Sequence, residues 1–213
     1  MDKNLRDKLI AIARQKITDV DTSHDFGHAL RVLANAEWIT KEENADLDII
    51  IPAALFHDIV SYPKNDPCAK YSTDESAEVT KEILEKIDEF PKNKIKQVCI
   101  AIKFCSFSKG IIPELLEAKI LQDADGLEAT GAISIMRTFS SAGQMKKLFY
   151  DSDDPFCKIR KPDDSKYALD LFYTRLLRVV DRMHTKKAKE ITERRIEFLR
   201  EFLTELKLEL EGK

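Results

Sequence analysis

Only six glycines and seven prolines punctuate these 213 residues, and between them apolar side chains recur three and four positions apart. That interval stacks side chains on one face of an α-helix, and the scarcity of breakers lets helices run long. Residues 3–18 carry Leu5, Leu9, Ile12, Ala13 and Ile17 in this register. Asp21-Thr22-Ser23 offers capping chemistry before a second helix, expected from about His24 to Glu43. A compact apolar helix is expected from about Asp46 to His57, although Pro52 counts against it because proline removes an interior hydrogen bond. Ser61 to Tyr71 reads as the main loop, and Ser72-Thr73-Asp74-Glu75 as a capping box opening a helix to about Glu89. Further helices are expected at about Lys92–Phe104, from Pro113 to Asp123, and after Gly126. A loop over residues 151–164 precedes two long helices, about Ser165–Met183 and Thr185–Leu210. No segment alternates with the two-residue period of a strand. The expected fold is all-α, a single helical domain over residues 1–213 with its core at about 20–180 and a closing helix at about 185–211.

Composition excludes several function classes. Lys and Arg total 35 against 38 Asp and Glu, a formal charge of -3, so no field of one sign favours nucleic acid or a membrane surface. The longest apolar run, Ile49 to Phe56, is far too short to span a bilayer, and the charged N-terminus lacks the apolar centre of a signal peptide. Cys68, Cys99, Cys105 and Cys157 form no CxxC pair, which fits reduced thiols in a cytoplasmic protein. The last helix carries Ile191, Phe198, Phe202, Leu206 and Leu210 on one stripe, able to pack at home or on a second copy, so a homo-oligomer is compatible with the sequence.

Histidine is scarce, at four copies, and three of them stand beside aspartates in the first 57 residues. His57-Asp58 ends the apolar segment. Neighbours on a helix point about a hundred degrees apart, so both can meet one ion only near a helix end, where this pair is expected. A carboxylate against an apolar helix is costly unless a cation or hydrogen bonds satisfy it. His24-Asp25-Phe26-Gly27-His28 superficially matches the zinc-protease pattern His-Glu-x-x-His, but Asp25 is a carbon shorter than the required glutamate and Gly27 weakens the helix. In Gln122-Asp123-Ala124-Asp125-Gly126-Leu127-Glu128, the two aspartates face different directions on a helix, so one ligand is expected rather than two. Each piece alone has an ordinary explanation as a cap or a core histidine.

Together, His28, then His57-Asp58, then an aspartate well downstream, each on its own helix, resemble the HD-domain phosphohydrolase superfamily. Ser23-His24-Asp25-x-x-His28-x-x-Arg31-Val32, Phe56-His57-Asp58-Ile59-Val60, Gln122-Asp123-Ala124-Asp125-x-Leu127-Glu128-Ala129 and Asp154-Pro155-Phe156 look like its small stand-alone microbial branch, some members of which hydrolyse nucleotides. The resemblance implies that His28, His57, Asp58 and Asp125 ligate one divalent metal, Asp125 being preferred to Asp123 by its Ala-Asp-x-Leu context. Two departures stand out: relatives often carry histidine where Cys105 stands and arginine where Gly126 stands.

Two imidazoles and two carboxylates suit Mn²⁺, Fe²⁺, Co²⁺, Ni²⁺ or Zn²⁺ better than Mg²⁺. Asp58 belongs to the reacting centre, and Asp123, Asp25 or Glu128 is available as a general base or to orient water. For substrate phosphate, Lys64 and Asn65 are the first choice and Arg31 the next, with His24 at the entrance of its helix; Arg137, Arg160 and Lys161 rank lower. His184 reads as a surface residue. The expected activity is hydrolysis of a phosphate ester or anhydride in a small nucleotide, for example a nucleoside triphosphate to monophosphate and pyrophosphate. The alternatives are a 5′-nucleotidase, a cyclic-nucleotide phosphodiesterase, or a non-catalytic module in which the metal staples helices around a sensed ligand.

Overall fold

The computed structural model describes residues 1–17, 25–62 and 66–213. Among these, nine α-helices and several 3₁₀ turns carry the chain, and the only β feature is an isolated bridge between Leu148 and Tyr167. The fold is all-α, as the periodicity requires. The chain divides into two compact units, Met1–Asp125 and Gly126–Lys213. No helix among the described residues is long and apolar enough to cross a membrane.

In the first unit, α1 (Lys3–Lys16) is capped by Asp2, whose carboxylate accepts the Asn4 N–H at 3.0 Å, and it buries Leu5, Leu9 and Ala13. The second helix, α2 (Phe26–Glu43), is capped by Asp25; Asp21, Thr22, Ser23 and His24 lie outside the described residues. It stops at Asn44, which takes the left-handed conformation at φ 54° and donates its N–H to the Thr40 carbonyl. Next comes α3 (Leu47–Phe56), in which every residue from Ile49 to Phe56 is buried. A helix apolar on all sides must sit inside, and α1, α2, α4 and α5 pack against it.

Pro52 stays within α3. Interior proline costs about 3 kcal/mol, whereas burying each Ile, Leu or Phe contributes about 1.5–3 kcal/mol, so an eight-residue buried run outweighs it. Polar ties fix the start of α3: Lys94 Nζ meets Asp46 at 2.7 Å and Asp48 at 2.6 Å, and the Asp46 N–H donates to Glu117 at 3.1 Å.

The capping box expected at Ser72 does not form. Ser72 lies inside α4 (Ser72–Glu85) and donates its hydroxyl to the Ala69 carbonyl, while Glu75 is occupied by the Tyr62 hydroxyl at 2.5 Å. That bond stabilises the neutral phenol and, with burial, pushes the Tyr62 pKa up to about 12. A 3₁₀ turn, Lys92–Lys94, precedes α5 (Ile95–Lys103). The next helix, α6 (Leu116–Gly126), begins later than Pro113 and runs past Asp123, so both of its aspartates are helical.

The second unit contains α7 (Gly131–Gln144), α8 (Asp170–Thr174) and α9 (Lys186–Leu210), the last capped by Thr185. Leu169, Phe172, Leu176 and Leu199 form its core, with Phe202 stacked on Phe172 at 5.7 Å between centroids. The long helix expected over 165–183 is broken into α8 and a 3₁₀ turn, Leu176–Arg182. Its beginning is diverted because the Leu148 N–H bonds the Lys166 carbonyl and Ala168 returns a bond to Leu148. Its middle is held by Asp170, a fully buried carboxylate gripped by Arg160 and by the Asp163 N–H.

Candidate metal centre

Three helices of the first unit bring the candidate ligands together. His28 lies one turn inside α2, and the Asp25 carboxylate that caps the helix accepts the His28 N–H itself, at 2.6 Å. Gly27 permits that cap: a Cβ there would stand 3.2 Å from Asp25 Oδ1 and 3.3 Å from Arg31 Nη1. The glycine that looked like a weakness in the helix makes room for its capping carboxylate. Two turns along the same face, Asn35 Nδ2 donates to the Ala124 carbonyl at 3.4 Å, which holds α6 beside α2 next to Asp125.

His57 is the C-terminal cap of α3, and Asp58 follows directly. Because the helix ends there, the two side chains turn to one place. His57 Nδ1 lies 2.9 Å from the Ala54 carbonyl. A carbonyl only accepts, so Nδ1 carries the proton and the Nε2 lone pair faces the cluster.

His28 Nε2 and His57 Nε2 lie 3.2 Å apart. Asp58 Oδ2 stands 3.5 Å from the first and 3.4 Å from the second, and Asp125 Oδ1 is 3.6 Å from His28 Nε2. Ligand atoms of His28, His57 and Asp125 all fall within 4.8 Å of one another. The imidazoles are buried, at 1% and 2% exposure, whereas Asp58 and Asp125 are 28% and 33% exposed, so the cluster is closed by protein on one side and open at its carboxylates. Two buried nitrogens and two partly exposed carboxylates gathered this closely form a set that could hold a cation. A divalent ion fits that donor set.

The other expected site residues are distributed differently. Asp123 is fully buried, on a different side of α6 from Asp125. Asp25 serves as the α2 cap, and Arg31 lies on α2 with its guanidinium beside Gly27. Glu128 belongs to the second unit, buried and paired with Arg137 at 3.4 Å. His24, Lys64 and Asn65 lie outside the described residues. Arg160 is engaged with Asp170, Lys161 is exposed and His184 is half-buried. Cys105, at the end of α5, is buried; burial, with the Asp58 and Asp125 carboxylates, pushes its thiol well above the usual cysteine range, so it is present as the neutral thiol.

One polar residue of the Asp125 motif has a structural role that the motif alone does not give it. Gln122 is buried on α6 and donates to both the Phe104 carbonyl at 2.6 Å and the Ile111 carbonyl at 3.2 Å, pinning the loop after α5 to the helix that carries Asp125. Its one signal in the sequence is a polar side chain placed, with Asp123, between apolar Ile120-Leu121 and Ala124.

The Asp25 cap carries an expectation of its own. Asp25→Ala should cost about 1 kcal/mol of stability, the usual value of a side-chain N-cap, and weaken Mn²⁺ binding because the first turn of α2 positions His28. Urea denaturation and metal titration measure the two effects; unchanged stability would show that the cap is dispensable.

The HD domain family matches residues 25–130, from the α2 cap through all four clustered residues. YpgQ of Bacillus subtilis (strain 168) is 30% identical over 202 residues, covering 92% of this chain and 89% of YpgQ. The crystal structure of Bacillus subtilis YpgQ in complex with ADP superposes with a TM-score of 0.72 at 29% identity, over 97% of this chain and 95% of that one. An HD-superfamily hydrolase from Bacillus thuringiensis gives 0.73 at 26% identity, over 99% of both chains. The chain belongs to the HD-domain family, the superfamily of metal-dependent phosphohydrolases.

Proposed function

We propose that this chain hydrolyses a phosphate ester or anhydride bond in a small nucleotide, with His28, His57, Asp58 and Asp125 holding one divalent ion. The observation that carries the reading is the convergence of two buried Nε2 atoms 3.2 Å apart with carboxylate oxygens at 3.4–3.6 Å. The presence of ADP in the relative YpgQ supports a nucleotide as the phosphorylated ligand. A resident ion of the Mn²⁺, Fe²⁺, Co²⁺, Ni²⁺ or Zn²⁺ type would supply Lewis-acid activation of water and charge stabilisation at phosphorus.

The chain's own groups divide the remaining work. The bond to Ala54 keeps the His57 ring in the ligating tautomer and orientation, and the cap on α2 fixes His28. The open face of the cluster lies at Asp58 and Asp125, so substrate and water approach there. Of the carboxylates available for proton transfer, Asp58 has solvent access, whereas Asp123 is enclosed and Asp25 is committed to the cap. That favours Asp58 for orienting the attacking water. The cations of Arg31 and Lys64 and the neutral amide of Asn65 complete the proposed substrate contacts.

The experiment is a phosphate- and pyrophosphate-release screen over nucleoside mono-, di- and triphosphates and cyclic nucleotides, with Mn²⁺, Co²⁺, Ni²⁺ and Mg²⁺ supplied in turn and products identified. Metal-dependent turnover of a nucleotide is expected. Metal binding without turnover of any of these would point instead to the ligand-sensing module.

A further inference from the structure

Of the four clustered side chains, Asp58 has the least support from a helix. His28 stands on α2, Asp125 on α6, and His57 caps α3, but Asp58 belongs to the turn beyond that cap. On its upstream side the turn is closed by the Ile59 N–H, which donates to the Phe56 carbonyl at 3.1 Å. One turn bond does not fix where the chain goes next. Yet the Asp58 carboxylate, 28% exposed, stands at 3.4 and 3.5 Å from two buried imidazole nitrogens.

The downstream side is held by α4, which supplies none of the four. Ser76 is fully buried on that helix. Its hydroxyl accepts the Val60 N–H at 3.1 Å and donates to the Val60 carbonyl at 3.4 Å. A hydroxyl has one donor and two acceptor positions, so this one side chain engages both backbone polar groups of Val60. The preceding residue of α4, Glu75, takes the Tyr62 hydroxyl at 2.5 Å, a second tie on the same outgoing segment. Consecutive Cα atoms are about 3.8 Å apart, so a clamp at Val60 leaves Asp58 only two links from a fixed point.

We propose that Ser76 is a positioning residue for Asp58, setting where its carboxylate stands against the two imidazoles. The assignment rests on the metal-centre reading of the cluster. It makes α4 part of the site although the helix gives no ligand: loss of the Ser76 hydroxyl frees Val60 and loosens Asp58 while all four ligand side chains remain.

Mn²⁺ titration of the full chain, with the free ion counted by electron paramagnetic resonance, tests this through a double-mutant cycle. Ser76→Ala should bind Mn²⁺ about ten-fold more weakly than wild type, as partners one step removed from a metal do, with helical content unchanged. In an Asp58→Ala background the same substitution should change the affinity by less than about two-fold, because the carboxylate through which it acts is gone. Equal losses in the two backgrounds would make Ser76 a general structural residue and overturn the assignment, as would wild-type affinity in Ser76→Ala. Where Asp58→Ala holds too little Mn²⁺ to complete the cycle, the visible spectrum of Co²⁺ at full occupancy decides. Altered band intensities in Ser76→Ala then support the assignment, and a wild-type spectrum overturns it. Should Ser76→Ala lose helical content, Ser76→Cys, which keeps the volume and weakens both bonds, takes its place with the same expectations. The underlying reading fails separately: a wild-type chain that binds neither Mn²⁺ nor Co²⁺ overturns the metal centre and the assignment together.

Discussion

His57→Ala is expected to reduce metal-dependent phosphohydrolysis by well over a hundred-fold, since partners one step removed from a metal already cost about ten- to a hundred-fold. The loss follows from the geometry of the α3 terminus. His57 is the buried ring whose Nε2 faces His28 Nε2 at 3.2 Å, and without it two carboxylates and one imidazole remain on an open face. Asp58→Ala should remove activity to a similar degree, but it should leave the fold nearer to wild type because Asp58 is 28% exposed and His57 only 2%. The two variants thus separate metal binding from packing: both should bind less Mn²⁺ in a titration, and only His57→Ala should also lower the denaturation midpoint appreciably. Near wild-type turnover by either variant at saturating metal would rule out a catalytic ion at this cluster.

Much of the first unit was readable from local spacing. The eight-residue apolar run had to become an interior helix, and a helix that ends at His57 turns His57 and Asp58 to one point. Spacing alone said only that one of Asp123 and Asp125 would be a ligand, and the preference for Asp125 came from the family resemblance; the structure places the two on different sides of α6, the first enclosed and the second one-third exposed. What stayed hidden depends on partners distant in the chain. Ser72 and Glu75 have the composition of a capping box, but Tyr62 occupies Glu75, and no local pattern reports that. Asp25 reads as a catalytic candidate until it is seen to cap the helix bearing His28. Gln122 gains its importance only once the loop after α5 is folded against α6.

Residues 165–183 show the same limit in the second unit, where Arg160 was considered for phosphate and instead sustains a buried carboxylate. Arg160→Ala is expected to destabilise this unit by about 3–5 kcal/mol, the cost of stranding a buried charge whose partner is removed. Asp170 has no solvent exposure; Arg160 meets it with Nη1 at 2.5 Å and Nη2 at 2.7 Å, and the Asp163 N–H adds a bond at 2.6 Å. The guanidinium also lies 4.7 Å over the Tyr167 ring, and its Nε donates to the Asp154 carbonyl at 3.1 Å, so one side chain organises both sides of the loop. Burial alone would raise the Asp170 pKa, but the bonds from Arg160, the Asp163 N–H and the Cys157 thiol overcome it and hold the carboxyl below the ordinary aspartate range. A depressed carboxyl contributes its full stability above the ordinary carboxylate pKa and loses it as pH falls through the folded value. The difference in unfolding free energy between wild type and Arg160→Ala should therefore be largest near neutral pH and shrink under acid, as both proteins come to hold a protonated Asp170. Urea denaturation followed across that range measures it. A pH-independent difference would mean that the Arg160 stem and its stacking on Tyr167, rather than the ion pair, hold α8 in place.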